Sequence, residues 1–230
     1  RLAAAINFRH EQANLPSPTS SSYVKRIMTG IEKTLYRKPI QKKPMTKEII
    51  RALIEKHLLG DLHSGKTTDL VLWRTITRIV LEFMSGSRFG EIVALRLCDI
   101  SFNDSDMCLL IRKSKTDQKQ TGVTKIIVRD QDHPLWCPVR LTEQYLSRLG
   151  YPASSEHSIM PQFRSVQGKL SKARQTVPIR NTVISHTTAI GDLKRVLITI
   201  GIDPTDYGEH SGRSGCATES RAAGADIIDI

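Results

Sequence analysis

Three short stretches carry residue types suited to phosphate chemistry. Arg88 and Glu91 form Arg-x-x-Glu just after Ser85-Gly-Ser87. There a guanidinium can present its donor fork to a phosphate while the carboxylate orients it. Read alone, the same spacing also suits an i,i+3 ion pair on a helix surface, worth a few tenths of a kcal/mol. Lys115 stands in Ser-Lys-Thr within a polar, basic segment. A lysine there could enter a DNA groove or protonate a leaving oxygen. Lys113, Lys119 and Lys125 compete for any such role, and basic segments of this kind are often only solvated. His210 and Arg213 lie one helical turn apart, so both can face one phosphate, the histidine as donor or proton shuttle and the arginine as charge clamp. A capped helix start with a surface arginine gives the same text.

The elements that must position these residues follow from periodicity and punctuation. An Ala-rich helical piece occupies residues 1 to 15, broken by Pro16-Ser-Pro18 before a helix capped by Thr19 or a following serine and running to about Tyr36. The basic, proline-flanked stretch 37 to 44 reads as a linker. Thr46 is a good N-cap for an amphipathic helix over 46 to 59, and Leu70 to Met84 makes another. Ser85-Gly86-Ser87 ends it, and a helical pattern restarts over Glu91 to Leu97, which puts Arg88 at a helix-loop-helix corner. Met107 to Arg112 and Val123 to Val128 are β-rich runs forming a hairpin whose long basic tip holds Lys115. Only this region reads strongly as sheet. Pro138 opens a helix to Leu149, Thr187 to Ile200 forms another closed by Gly201, and the last begins around His210. Residues 152 to 182 offer little periodic signal.

Composition narrows the partner. The chain has 230 residues and a formal charge of +11, with nine basic residues against two acidic ones in its first 44. Such an excess favours a polyanion, because each Lys or Arg that neutralises a phosphate releases condensed counterions. Solubilising surface charge or attraction to acidic membranes would read the same from charge alone. Cys98, Cys108, Cys137 and Cys216 show no Cys-x-x-Cys pairing and sit among hydrophobic neighbours, as expected for reduced, buried thiols in an intracellular compartment. Arg74, Arg78 and Glu82 interrupt the most apolar stretch, so no membrane span is expected. The chain opens on Arg1 and stops in mid-pattern at Ile230, so both ends are expected to be artificial.

In combination the three stretches resemble the ordered active-site set of tyrosine recombinases, the phage-integrase family. Ser85-Gly-Ser-Arg-Phe-Gly-Glu-Ile-Val-Ala-Leu-Arg-Leu-Cys-Asp99 is similar to the family's first arginine box, which implies catalytic Arg88 and its supporting acid Glu91. Lys113-Ser-Lys-Thr-Asp117 resembles the hairpin-lysine motif and implies Lys115, and His210-Ser-Gly-Arg-Ser-Gly-Cys-Ala-Thr218 resembles the second box and implies His210 and Arg213. The wording of the chain is similar to recombinases of eukaryotic mobile elements. The resemblance implies a mainly α protein with a small β-sheet, an α+β catalytic domain over 43–230, preceded over 1–42 by part of a helical, SAM-like core-binding domain that clamps DNA. Lys25, Arg26, Lys42, Lys43, Lys113 and Lys119 are the expected DNA contacts.

The implied chemistry is attack of a tyrosine on the scissile phosphodiester to give a 3′-phosphotyrosyl link, with neither metal nor nucleotide cofactor. Arg88, Arg213 and His210 would hold the non-bridging oxygens and Lys115 would protonate the departing 5′ oxygen. The family pattern departs at the end: a His or Trp is expected about twenty residues past Arg213 and the nucleophile beyond it, but 17 residues follow and neither is present. Tyr151 and Tyr207 do not occupy the nucleophile's place, so the chain is expected to be truncated before it. The implied partners are double-stranded DNA and, for the full-length protein, a homo-tetramer on paired sites, with no membrane. The expected location is DNA-associated, and nuclear if the source is eukaryotic. Three alternatives stay open: a type IB topoisomerase-like enzyme, a non-catalytic DNA-binding remnant of a mobile element, and a generic basic structural protein.

Overall fold

The computed structural model describes residues 2–35, 41–64, 69–114, 121–152, 155–167, 174–179 and 181–225. The chain divides into two compact units, Arg1–Gln41 and Lys42–Ile230. In the first, α1 (Leu2–Gln12) and α2 (Ser22–Leu35) flank a 3-10 turn at Pro18–Ser20. Ser17 caps that turn through the Thr19 N–H, and the Ser21 hydroxyl accepts from the Val24 N–H at the start of α2. Lys25 and Arg26 lie exposed on α2. Neither helix buries a residue among those described.

The second unit is built around one helix. Thr46 caps α3 (Lys47–His57), with its hydroxyl accepting from the Ile49 N–H, and α4 (Leu59–Ser64) follows directly. Asp69, not foreseen as a cap, opens α5 (Leu70–Ser85) by accepting from the Val71 and Leu72 N–H groups. α5 is buried nearly all round, including Trp73, Ile76, Ile79 and Phe83. It packs against α3 and against α6 (Phe89–Val93), α7 (Pro138–Leu149), α8 (His186–Thr199) and α9 (Ser211–Ala222). The charged residues it buries are paired: Arg78 donates to Glu82 at 2.6 Å, and Arg74 donates to Asp192 at 2.6 Å and to the Pro161 carbonyl at 2.7 Å.

Beside the helices, β1 (Ile100–Phe102), β2 (Asp106–Ile111) and β3 (Val123–Val128) form an antiparallel sheet in that order. The β2–β3 register pairs Ile111 with Val123 and Asp106 with Val128, which is the expected hairpin. Its tip, 115–120, lies outside the described residues. Met107, Leu109 and Ile111 turn inward from β2 by strand alternation. The protein is thus mainly helical with a small sheet, the expected fold class.

Three expectations are corrected. The helical pattern over Glu91–Leu97 stops at Val93, because the chain leaves the helix to make an isolated bridge between Arg96 and Ser158 before a 3-10 turn at Leu97–Asp99. Residues 152–182 are not devoid of sheet: β4 (Phe163–Gln167) and β5 (Arg174–Pro178) form a separate antiparallel pair. A two-stranded ribbon needs little burial, so it leaves a weak alternation signal. The cysteines are free, but only Cys137 is buried; Cys98 is exposed and Cys108 and Cys216 are intermediate. Among the described residues, no helix is long and apolar enough to cross a membrane.

Two glycines seat α9. A Cβ on Gly215 would stand 2.1 Å from the Met45 carbonyl oxygen, and one on Gly212 would stand 2.8 Å from Glu82 Cβ on α5. The Ser211 carbonyl also accepts from the Met45 N–H at 2.8 Å. Gly215→Ala is therefore expected to cost about 1–3 kcal/mol or more of stability, since backbone rather than a mobile side chain must move. Urea unfolding checks it, with Gly191→Ala on α8, where nothing lies within 4 Å of the added Cβ, as the control.

Candidate active site

Arg88 reaches its place through a sharp corner. Gly86 ends α5 with φ +62, a left-handed conformation that a side chain resists, and a Cβ there would also stand 3.3 Å from Cys216 Sγ on α9. Arg88 is then the N-cap residue of α6. Glu91, three residues on, accepts from the Arg88 backbone N–H at Oε2 (2.8 Å) and from Arg88 Nη1 at Oε1 (2.8 Å). The Ser114 hydroxyl, just past the end of β2, donates to the same Oε1 at 2.9 Å and accepts from Arg88 Nη1 at 3.2 Å. Glu91 is thus fully occupied in holding Arg88, whose Nε and Nη2 keep no protein partner among the described residues.

Burial alone would push the Glu91 carboxyl up. The Arg88 N–H, the Arg88 guanidinium and the Ser114 hydroxyl outweigh it, and the carboxyl sits below the usual carboxylate range.

Arg213 comes from the other end of the unit. It lies in the first turn of α9 between Gly212 and Gly215, and no ion pair or hydrogen bond engages its guanidinium among the described residues. Arg88, Glu91, Ser114 and Arg213 line one open cavity of about 240 Å³, together with Lys125 of β3 and Cys216. Three cations therefore face this space against one carboxylate, and that carboxylate is already spent on Arg88. A concave surface with unengaged guanidinium donors beside a helix N-terminus suits an oxyanion.

The other expected site residues fall elsewhere. His210 is the N-cap residue of α9 and is exposed, but it is not among the residues lining this cavity. Its charge bears on Glu82, whose carboxyl burial pushes up against the opposing pull of Arg78. Lys115 and Lys119 lie outside the described residues. Lys113 is exposed and lines a neighbouring cavity on the other side of Glu91, with Asp99 and Arg112. Lys42 donates to the Thr205 carbonyl, and Lys43 pairs with Asp206 at 2.6 Å, so both are engaged in holding the segment before α3 to the 3-10 turn at Pro204–Asp206. Sequence reasoning gave no role to Ser114, although it lies within the Lys113–Asp117 stretch. It treated Lys125 only as a rival, although strand alternation on β3 could have placed it.

Among the described residues, no tyrosine lines the cavity. Tyr145 is buried, donates to the Ile159 carbonyl at 2.7 Å, and burial raises its pKa far above the usual phenol value. Tyr207 is buried as well.

No protein-family model matches the chain, and no curated protein does. Solved structures do. XerH site-specific recombinase, in a pre-cleavage complex with its difH substrate, matches at 15% identity and TM-score 0.51 over 82% of this chain and 45% of its own. XerA recombinase matches at 15% identity and TM-score 0.51 over 99% of this chain and 70% of its own. The chain thus spans under half the length of XerH. These likenesses show the fold, which the chain shares with XerH and XerA.

The lowered Glu91 carboxyl fixes the sign of a pH effect. Its contribution is complete above the unfolded value of about 4.3 and is lost as pH falls through the lower folded value. Glu91→Gln is therefore expected to be less stable than the parent by about 1.5–3 kcal/mol at pH 7, with the gap closing in acid below pH ~4. Urea unfolding of both proteins at neutral and acid pH measures it.

Proposed function

We propose that this chain is the catalytic portion, with part of the DNA-clamping portion, of a site-specific DNA recombinase that cleaves and rejoins duplex DNA through a 3′-phosphotyrosyl intermediate. The observation that carries the reading is the shared cavity of Arg88 and Arg213, which are distant in sequence and both have guanidinium donors to spare. In this reading the two arginines hold the non-bridging oxygens of the scissile phosphate and stabilise the phosphorane's added charge. Glu91 keeps Arg88 oriented, and His210 sits one turn from Arg213 to donate a hydrogen bond. Lys115 protonates the leaving 5′ oxygen, with Lys125 as its competitor. The phosphotyrosyl bond retains the energy of the broken linkage, so a 5′ hydroxyl from another strand can reverse the step. The residues 1–42 act as part of a helical clamp, with Lys25 and Arg26 on phosphates, and the active assembly is a tetramer on paired sites. Similarity in fold to XerH, whose solved complex is with its difH substrate, supports double-stranded DNA as partner.

Because no tyrosine among the described residues lines the cavity, the nucleophile in this scheme comes from elsewhere. The same observation favours a second reading, a DNA-binding remnant that does not cleave. Both bind DNA through phosphates, so affinity for duplex is expected to fall about 10³-fold or more between 50 and 200 mM salt, for on the order of six or more phosphate contacts. A flat salt profile overturns both. On a suicide substrate, with the family's tyrosine segment appended, the recombinase reading expects a covalent adduct that Arg213→Ala abolishes, a loss of about 10² to 10³ or more in rate, while duplex binding changes little. No adduct from the extended parent leaves the remnant reading.

A further inference from the structure

Two acids receive the strand that leaves β2. Arg112 donates from Nε to Asp99 Oδ1 at 2.6 Å, and Asp99 is itself buried and accepts from the Arg96 N–H at 3.0 Å. Two residues later, Ser114 donates to Glu91 Oε1 and accepts from Arg88 Nη1. The second of these contacts differs in kind from the first. Arg112 and Asp99 only tie the sheet to the turn after α6, whereas Ser114 touches both members of the arginine clamp.

We infer that Ser114 is a positioning residue that couples the basic hairpin to the Arg88–Glu91 clamp, so that the orientation of Arg88 and the placement of the hairpin's first leg are set together. The inference rests on the proposed function for its consequence, but its structural content is independent of it. A carboxylate that accepts three hydrogen bonds has little freedom to rotate. Removing the Ser114 hydroxyl takes one bond from Oε1 and one acceptor from Arg88 Nη1, so the guanidinium is held at a single point and can swing about it. The leg carrying Lys113 loses its second anchor at the same time. A hydroxyl is suited to this place because it donates to the acid and accepts from the base at once. A second cation in its place would repel Arg88.

The test uses Ser114→Ala and Ser114→Thr in the whole chain, with three readings. Carbon-13 NMR of the Glu91 carboxyl is expected to titrate higher in Ser114→Ala, because one of the bonds holding its charged form is gone, and as in the parent in Ser114→Thr. Amide hydrogen exchange at Val123 and Thr124, opposite the end of β2, is expected to speed up in the alanine variant and not in the threonine variant. Binding of inorganic phosphate, followed by phosphorus-31 NMR, is expected to weaken about tenfold in the alanine variant and to recover with threonine. Parent-like Glu91 titration and exchange in Ser114→Ala, or equal disturbance by both variants, overturns the coupling. Arg213→Gln separates the two ideas. If it leaves phosphate binding unchanged while Ser114→Ala still moves the Glu91 titration, the coupling stands and the reading of the cavity as a phosphate site falls.

Discussion

The approach of α9 to α5 is the constraint on which the site depends. Among the described residues Arg213 has no side-chain partner to aim it, so its place is set by the backbone that carries it, and that backbone is set by how closely two helices meet. Gly212 and Gly215 are the residues that let them meet, against Glu82 and the Met45 carbonyl. Arg213 and Cys216, set among them, then line the cavity. Any side chain at Gly215 pushes the helix away from the segment before α3 and carries Arg213 with it. The motif His210-Ser-Gly-Arg-Ser-Gly thus holds two kinds of residue, those suited to a phosphate and those that bring the helix to where a phosphate could be met.

The central helix answers a different demand. Its Arg78–Glu82 and Arg74–Asp192 pairs are almost wholly out of water, and burying charges costs several kcal/mol per ion before their attraction is counted. Such pairs are weak sources of stability. What they do supply is directional: Arg74 ties α5 to α8 and to the Pro161 carbonyl, and Glu82 lies under the first turn of α9. An apolar α5 could slide or rotate against its neighbours at small cost, whereas each of these bonds has one register. A site made from the ends of several helices needs that register held.

Much of this was legible in the residues. Pro138 and Gly150 bracket α7, because one pre-sets the helical φ and the other ends the helix with φ +67. The alternation of β2 and the Gly86 corner were equally plain. The bridge at Arg96 was not, since it depends on Ser158 far along the chain, and a helical pattern is blind to a partner strand. The β4–β5 ribbon escaped for the related reason that a pair of strands with one partner each need not alternate cleanly. Within the site, the arginines and Glu91 were found by type and spacing. Ser114 was not, because a serine on a strand end is chemically silent until the fold puts an acid and an arginine on either side of its hydroxyl. His210 stands at the N-cap of α9, one turn from Arg213 as the spacing places it, and is exposed.

The two arginines differ in how their orientation is secured, and under the proposed function that difference has a use. Arg88 is held by its own side chain, through Glu91 and Ser114, with its remaining donors left over. Arg213 is held by its main chain alone. Arg88, Arg213 and Lys125 line one cavity, and among the described residues the carboxylate there, Glu91, is already bonded to Arg88, so under the proposed function an entering oxyanion relieves the repulsion of the three cations. By linkage, that relief appears as stabilisation of the folded protein growing as RT ln(1 + [L]/Kd). Because the cavity is open, salt screens the repulsion and the attraction alike. Preorganised donors cost no reorientation when charge develops, so under the proposed function the arginine fixed by its neighbours suits an oxygen on which charge grows in place. The one on the helix end, free to adjust its side chain, can follow an oxygen that moves as the phosphorus becomes five-coordinate.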